Sequence, residues 1–255
     1  MKKMTLNDFF IDNSIVALGF SGGVDSSYLL YAAIKSGAKV RAYYVKSAFQ
    51  PGFELDDAQR LAKELGADLI VLPVDVLSEK DITENPPDRC YYCKKKIFST
   101  IAAAAKADGF SLLIDGTNAS DKVDDRPGMR ALGELSVRSP LRECGLTKTA
   151  IRELSRKAGL FTWNKPAYAC LATRIPAVDT ITAEKLSGTE RAENYMFSLG
   201  FADFRVRMFH GAAKLQIKSS DLGLFLRERR SILHELKKYY SDVLLDLEAR
   251  DESEN

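Results

Sequence analysis

Two of the four cysteines in this 255-residue chain lie three residues apart, within the segment ENPPDRCYYCKKKIF (84–98). If the segment is helical, Cys90 and Cys93 share one face of the helix. Thiols at this spacing occur in redox pairs, zinc sites and iron–sulfur sites, and also as ordinary packing residues. The pair alone therefore leaves these four interpretations open.

A second chemical signal is the glycine-rich turn in ALGFSGGVDSSYLL (17–30), between an apolar run and a helical segment. The two glycines allow positive φ and bring backbone N–H groups close to an anion. The start of the following helix adds its dipole and two hydroxyl groups. The loop is not a Walker A loop, because that spacing and its lysine are missing. The turn predicts a cradle for a phosphate or pyrophosphate.

The elements around these motifs alternate between strands and helices in the first half of the chain. Apolar runs separated by helical segments are predicted as strands at 14–20, 39–45, 68–76 and 111–118. Such runs are typical of a parallel sheet covered on both faces, and right-handed crossovers make it a doubly wound α/β domain.

After residue 118 the composition and the pattern of predicted elements change. Residues 119–141 are charged and rich in turn formers, which predicts a loop that a substrate could order. From about residue 177 the pattern predicts helix, two strands, helix and strand, a smaller C-terminal α+β domain. The predicted domains are therefore 1–176 and 177–255.

Composition narrows the class of protein. A hydrophobic share of 45% and a charged share of 28% are ordinary for a globular protein. No segment approaches the roughly 20 apolar residues of a membrane span, and the start of the chain does not read as a signal peptide. We expect a cytoplasmic protein without a membrane partner, which disfavours a structural disulfide. A net charge of +2 argues against a nucleic-acid partner.

The order strand, SGGVDS, helix resembles the PP-loop of the N-type ATP pyrophosphatases, which have the adenine nucleotide alpha hydrolase-like fold. The resemblance implies cleavage of ATP between its α and β phosphates, with Mg²⁺ near Asp25, leaving an adenylated substrate. It implies that Val45 and Ser47 meet adenine and that Gly116 contacts ATP. The phosphate ligands that it implies are Ser21, Gly22, Gly23, Asp25, Ser26 and Ser27.

Further stretches resemble one branch, the LarE-type sulfur transferases that mature the nickel-pincer cofactor of lactate racemase. They include NPPDRCYYCKK, DGTNASD, DDRPGMRAL and ACLATR, and they follow one another in the expected order as far as about His210. The resemblance implies that a pyridinium mononucleotide is adenylated on its carboxylate and that sulfur then replaces oxygen. It also implies a sulfide source and a homo-oligomer.

Sulfur insertion needs a soft nucleophile, because the activated carboxylate must be attacked by a thiolate or a bound sulfide. Cys170 lies between Lys165 and Arg174, whose charges could lower its pKa if they point toward it. The alternative is that Cys170 is a buried structural cysteine.

Family members differ in the number of cysteines. Some sacrifice the sulfur of the cysteine equivalent to Cys170 and lack the pair. Others resemble this chain, whose Cys90, Cys93 and Cys170 would hold a 4Fe-4S cluster with sulfide on the open iron. Zinc bound with Cys144 as a fourth ligand is the rival, although we expect Cys144 to be a bystander.

The substrate end is predicted in FRVRMFH (204–210), where Arg205 and Arg207 alternate on a strand and so share a face. Adjacent guanidinium groups suit a bridging phosphate. By resemblance these two arginines and Arg174 bind the phosphate of the substrate, and Glu193 lies near the reacting sulfur. A solvated salt-bridge network is the alternative.

Other functions remain open at this stage. The chain could be a PP-loop tRNA thiolation enzyme, which can also carry a three-cysteine cluster, or another adenylating synthetase. It has no glutaminase-like segment for amidation. A non-catalytic ATP-binding or metal-binding regulator is a third alternative. Pyrophosphate release would separate the enzymes from the regulator.

Overall fold

A computed structural model describes residues 4–121 and 127–250 of the chain. The chain forms two compact units. The first comprises Met1–Val76 and Asp88–Lys165, and the second comprises Leu77–Pro87 and Pro166–Asn255. The second unit thus takes in an excursion just before the cysteine pair, and the bounds 1–176 and 177–255 stay a prediction.

The elements follow the predicted alternation along the chain. The strands are β1 (Ile15–Gly19), β2 (Lys39–Lys46), β3 (Asp68–Pro73), β4 (Leu113–Ile114), β5 (Arg205–Phe209), β6 (Ala212–Gln216) and β7 (Val243–Leu245). The helices are α1 (Leu6–Asp12), α2 (Val24–Lys35), α3 (Gly52–Leu65), α4 (Lys80–Thr83), α5 (Arg89–Ala107), α6 (Pro127–Glu134), α7 (Pro140–Glu143), α8 (Lys148–Lys157), α9 (Ala183–Ser198) and α10 (Leu222–Leu236). None of the helices in the described part of the chain is long and apolar enough to cross a membrane.

The first unit contains a four-stranded parallel sheet in the order β3-β2-β1-β4. The inner strand β1 is apolar because both of its faces are covered: Val16, Ala17 and Leu18 are completely buried. Phe9, from α1, and Leu29, from α2, belong to the same core. The prediction of a doubly wound parallel sheet is confirmed. Since parallel strands place their carboxyl ends at one edge, the loops after β1 and β4 meet there.

The second unit has a three-stranded mixed sheet, in which β5 and β6 are antiparallel and β6 and β7 are parallel. Apolar residues from the inner face of this sheet, such as Val206 and Leu215, pack with Met196 of α9 and Leu236 of α10. The predicted small α+β fold is confirmed. Its burial pattern places Arg205 and Val206 inside and Arg207 outside.

The prediction of a loop over 119–141 is wrong in its described part, because α6 lies within it. Contacts with α5 stabilise this helix. The Arg130 guanidinium lies 3.9 Å from the centre of the Tyr91 ring, and Glu134 accepts hydrogen bonds from Tyr91 and Lys95. Packing against α5, which no local pattern reveals, outweighs the turn-forming composition. Residues 122–126, also in this prediction, lie outside the described residues.

Candidate active site

The phosphate loop leaves β1 and enters α2, whose N-cap is Gly23. Gly22 has φ +71°, a left-handed conformation in which a side chain is strained. A Cβ atom at this position would also lie 3.1 Å from the Cβ of Ala58. Glycine at position 22 therefore satisfies both the turn and the close approach of α3.

Hydroxyl groups fix the shape of this loop. The Oγ atoms of Ser21 and Ser26 lie 3.1 Å apart, and the Ser26 hydroxyl donates to the carbonyl of Gly23 at 3.2 Å. The backbone N–H of Gly23 donates weakly to Ser21, at 3.4 Å. Ser27 differs from the other predicted phosphate ligands, because it is completely buried and its hydroxyl has no partner among the described residues.

A cavity of about 500 Å³ opens beside the loop. Asp115, Gly116 and Thr117, which follow β4, form part of its wall. The approach is close, since a Cβ atom at Gly116 would lie 2.9 Å from the backbone nitrogen of Ser26. The opposite wall includes Cys90, Lys94 and Phe98 of α5. Gly116, which is predicted to contact ATP, thus lies beside the phosphate loop, because the parallel strands β1 and β4 end at the same edge of the sheet.

Asp25 is the main electrostatic feature of the cavity. Its Oδ2 atom accepts a hydrogen bond of 2.7 Å from Lys148 Nζ, whereas its Oδ1 atom is buried and has no partner among the described residues. Burial raises the pKa of Asp25, the Lys148 ammonium opposes this rise, and Asp121 adds to it. A carboxylate oxygen with an open coordination position beside a second acidic group is a suitable ligand for Mg²⁺. The residues of this cavity therefore fit Mg²⁺ and the phosphates of ATP.

The two residues predicted to meet adenine lie at the end of β2 and just beyond it. Ser47 donates to Gln50 Oε1 at 2.7 Å and accepts the N–H of Phe49 at 3.1 Å. Val45 is buried. In the described structure neither residue lines the cavity at the phosphate loop, and their adenine contact stays a prediction.

The cysteines are distributed over both units. Cys90 and Cys93 lie near the start of α5 and form no disulfide, with Cys90 exposed. Cys144 is buried in the apolar core of the first unit. Cys170 belongs to the second unit. Within either unit, the described residues contain no group of three Cys, His, Asp or Glu side chains positioned to hold a metal ion. A cluster that draws ligands from both units stays a prediction.

The segment around Cys170 is organised by a buried ion pair. Arg174 Nε lies 2.7 Å from Glu193 Oε1, with 1% and 2% of the two side chains exposed. The same Glu193 oxygen accepts the backbone N–H of Val206 at 3.1 Å. Burial by itself would lower the pKa of Arg174, but the hydrogen bonds to Glu193, the negative charge of Glu193 and smaller electrostatic contributions together raise that pKa. Tyr168 and Cys170 contribute smaller electrostatic effects in the same direction.

The predicted arginine pair is divided by burial. Arg205 is buried and donates to the carbonyls of Phe204, at 2.6 Å, and Ala167. Burial and the charges of Arg174 and Arg250 lower the pKa of Arg205 to about 10. Arg207 is exposed. Of the three arginines predicted to bind the phosphate of the substrate, Arg207 is thus the most accessible one.

Tyr168 is a residue of this site that sequence reasoning missed. Its hydroxyl donates to Glu193 Oε2, and its ring lies 4.7 Å from the Arg174 guanidinium and 5.4 Å from that of Arg205. Arg174 also donates to the carbonyl of Ala169 at 3.2 Å. These contacts hold the backbone on the N-terminal side of Cys170. A single tyrosine in a loop carries no sequence signal of such a role.

We expect Arg174→Met to destabilise the second unit by about 3 kcal/mol, because it leaves the Glu193 carboxylate buried without its cation. Hydrogen–deuterium exchange of peptides covering α9 and β5 measures this loss. The matched control is Lys237→Met, which breaks an exposed ion pair of 3.4 Å with Asp242 in the same unit and is expected to cost less than about 1 kcal/mol. Equal effects of the two substitutions would contradict the structural importance of the buried pair.

Comparison with known proteins gives a consistent set of relatives. The sequence model of the family described as "Queuosine biosynthesis protein QueC" matches residues 15–85, which contain the phosphate loop. Over 249 residues the chain is 34% identical to a "Pyridinium-3,5-bisthiocarboxylic acid mononucleotide synthase" of Lactiplantibacillus plantarum, covering 96% of this chain and 90% of that protein.

Two further relatives differ in how much of the chain they match. A protein of Synechocystis sp. described as uncharacterized is 34% identical over 229 residues, which cover 89% of this chain and 85% of that protein. A "tRNA-specific 2-thiouridylase MnmA" of Fervidobacterium nodosum is 30% identical over 125 residues, covering 40% of this chain and 36% of that protein. The similarity to the tRNA enzyme is therefore limited to part of the chain.

Proposed function

This chain belongs to the LarE-type family of PP-loop synthases, and from that premise we propose that it makes a thiocarboxylate on a pyridinium mononucleotide for nickel-pincer cofactor biosynthesis. It is an ATP-dependent PP-loop enzyme. In the proposed reaction a carboxylate oxygen of the substrate attacks the α-phosphorus of ATP and pyrophosphate leaves. A sulfur nucleophile then attacks the acyl carbon, and AMP leaves with the former carboxylate oxygen.

The observation that carries the adenylation half is the cavity at the phosphate loop. The hydroxyls of Ser21 and Ser26 and the N-terminal end of α2 lie at this cavity, an arrangement that suits the pyrophosphate. Asp25 supports Mg²⁺ with the carboxylate oxygen that lacks a partner among the described residues. Magnesium would neutralise the charge that develops on the leaving pyrophosphate.

The sulfur-transfer half is assigned to the Cys170 segment. Arg174, Glu193 and Tyr168 hold this segment through a buried ion pair and hydrogen bonds. Arg207 is the arginine that we assign to the phosphate of the substrate, because it is the exposed one. Arg174 and Arg205 stabilise the segment instead, since both donate to its backbone carbonyls.

For the cysteines we propose a 4Fe-4S cluster held by Cys90, Cys93 and Cys170. The chemistry of the donor set supports it: two cysteines at i and i+3 share one face near the start of α5, where their thiolates can bind one metal centre. Three ligands would leave one iron open, and the cluster would there supply replaceable sulfide. Cys144 is excluded from this set because it is buried in the apolar core.

The function is tested by incubating the purified, anaerobically prepared protein with ATP, Mg²⁺, a sulfide source and a carboxylated pyridinium mononucleotide. We expect pyrophosphate release that depends on the mononucleotide, and a thiocarboxylate product whose mass is larger by the difference between sulfur and oxygen. Release that instead required added tRNA, with no thiocarboxylate, would overturn the assignment in favour of a tRNA thiolation enzyme.

The cluster has its own prediction. Anaerobically prepared protein should contain about four iron and four sulfide per chain and absorb in the visible range, and Cys90→Ser should remove most of this iron. The control is Cys144→Ala, which alters a buried packing residue and should retain the iron. A colourless protein that carries zinc and is fully active would refute the cluster.

A further inference from the structure

The phosphate loop of this chain lacks the lysine that a Walker A loop carries, so the polyphosphate needs a cation from elsewhere. Lys148 enters the loop region from α8, but its Nζ atom is paired with Asp25 Oδ2 at 2.7 Å. The cation that contacts the polyphosphate is therefore sought among the basic residues that line the cavity. Among its described lining residues, Lys94 is the single lysine or arginine.

Lys94 is held in place by its stem. It lies on α5 in the wall of the cavity, and a Cβ atom at Gly128 would approach its Cδ and Cε atoms to 2.8 and 3.2 Å. The aliphatic part of the side chain thus packs on the bare backbone of α6. No hydrogen bond or ion pair joins its ammonium group to the described residues. By contrast, the neighbouring Lys95 donates to Glu134 at 3.1 Å.

We propose that the ammonium group of Lys94 binds the phosphate oxygens of ATP and of the departing pyrophosphate. A cation that has no partner among the described residues and whose stem is packed, in the cavity that Ser21 and Gly23 also line, is a preorganised partner for a polyanion. The contact supplies the positive charge that the loop itself does not contain. This assignment rests on the proposed use of ATP and adds a binding residue to it.

Gly128 has a role within the same arrangement. Any side chain at this position would displace the stem of Lys94, since a contact below 3.0 Å requires one of the groups to shift. Gly128 has no positive φ, so alanine is compatible with its helical backbone. Gly128→Ala is therefore a way to move Lys94 without changing the charge of the protein.

The test measures binding of magnesium pyrophosphate and of AMP by isothermal titration calorimetry, without acceptor substrate. Lys94→Met should weaken pyrophosphate binding about tenfold, as the loss of a charge-assisted hydrogen bond does, and change AMP binding less than about twofold. Gly128→Ala should act in the same direction. The double variant Lys94→Met, Gly128→Ala should be no weaker than Lys94→Met alone, because both act through one side chain.

The matched control is Lys106→Met, which removes the same charge from the exposed last turn of α5 and should leave both affinities unchanged. Thermal unfolding verifies that each variant is folded. Unchanged pyrophosphate binding in folded Lys94→Met overturns the inference, and a higher KM for the mononucleotide in that variant would assign the cation to the acceptor instead. If the wild-type protein binds neither ATP nor pyrophosphate, the proposed function itself fails.

Discussion

Asp25→Asn is expected to lower pyrophosphate release by about 10³-fold or more. The substitution keeps the shape of the side chain and one acceptor for the ammonium group of Lys148, but it removes the charge that Mg²⁺ requires. The structure supplies the reason for so large an effect: the Oδ1 atom is buried beside the phosphate loop and has no partner among the described residues. The measurement is the initial rate of pyrophosphate release at saturating ATP and Mg²⁺.

Asp12→Asn is the control for this prediction, because Asp12 is an exposed aspartate at the end of α1 and should retain full activity. Burial raises the pKa of Asp25 because the ionised carboxylate is less stable there than in water. The ionised form of Asp25 therefore depends more on a bound cation than that of an exposed carboxylate. If a folded Asp25→Asn protein released pyrophosphate at the wild-type rate, the assignment of Asp25 to Mg²⁺ would be wrong.

Cys170→Ala is expected to separate the two halves of the reaction. Pyrophosphate release in the first turnover should stay within about twofold of wild type, because the groups that we propose for adenylation belong to the first unit. Formation of the thiocarboxylate should fall by about 10³-fold or more, since the thiolate needed for sulfur delivery is absent. Rapid-quench measurement of pyrophosphate, together with mass spectrometry of the product, follows the two steps in one experiment.

Cys144→Ala provides the matched change of a cysteine to alanine. Cys144 is 5% exposed and packs in the core of the first unit, so its loss should alter stability slightly and leave both steps intact. Loss of adenylation in Cys170→Ala would contradict the division of labour between the units. Normal thiocarboxylate formation in that variant would remove Cys170 from the sulfur-transfer half.

Much of the fold was predictable because the relevant signals are local. Apolar runs with turn-forming ends predict the strands, and the parallel sheet follows from strands that are apolar throughout. The phosphate loop is equally local: Gly22 must reach positive φ within a short segment between one strand and one helix. Strand β4 is shorter than the predicted range 111–118, because only Leu113 and Ile114 pair with β1 in the described structure. Beyond them Asp115 turns to bind Ser139 and Thr117.

The sequence by itself thus determined the order of the elements, the phosphate loop and the two arginines that alternate on β5. Only the tertiary structure decided which charges are available. Arg174 pairs with Glu193 across 19 residues of chain, and burial separates Arg205 from Arg207 although both occupy alternate strand positions. Lys94 has no partner within the described part of the chain, whereas Lys95 donates to Glu134. The physical reason is that periodicity fixes the face of an element, while burial and pairing depend on which distant segment packs against that face.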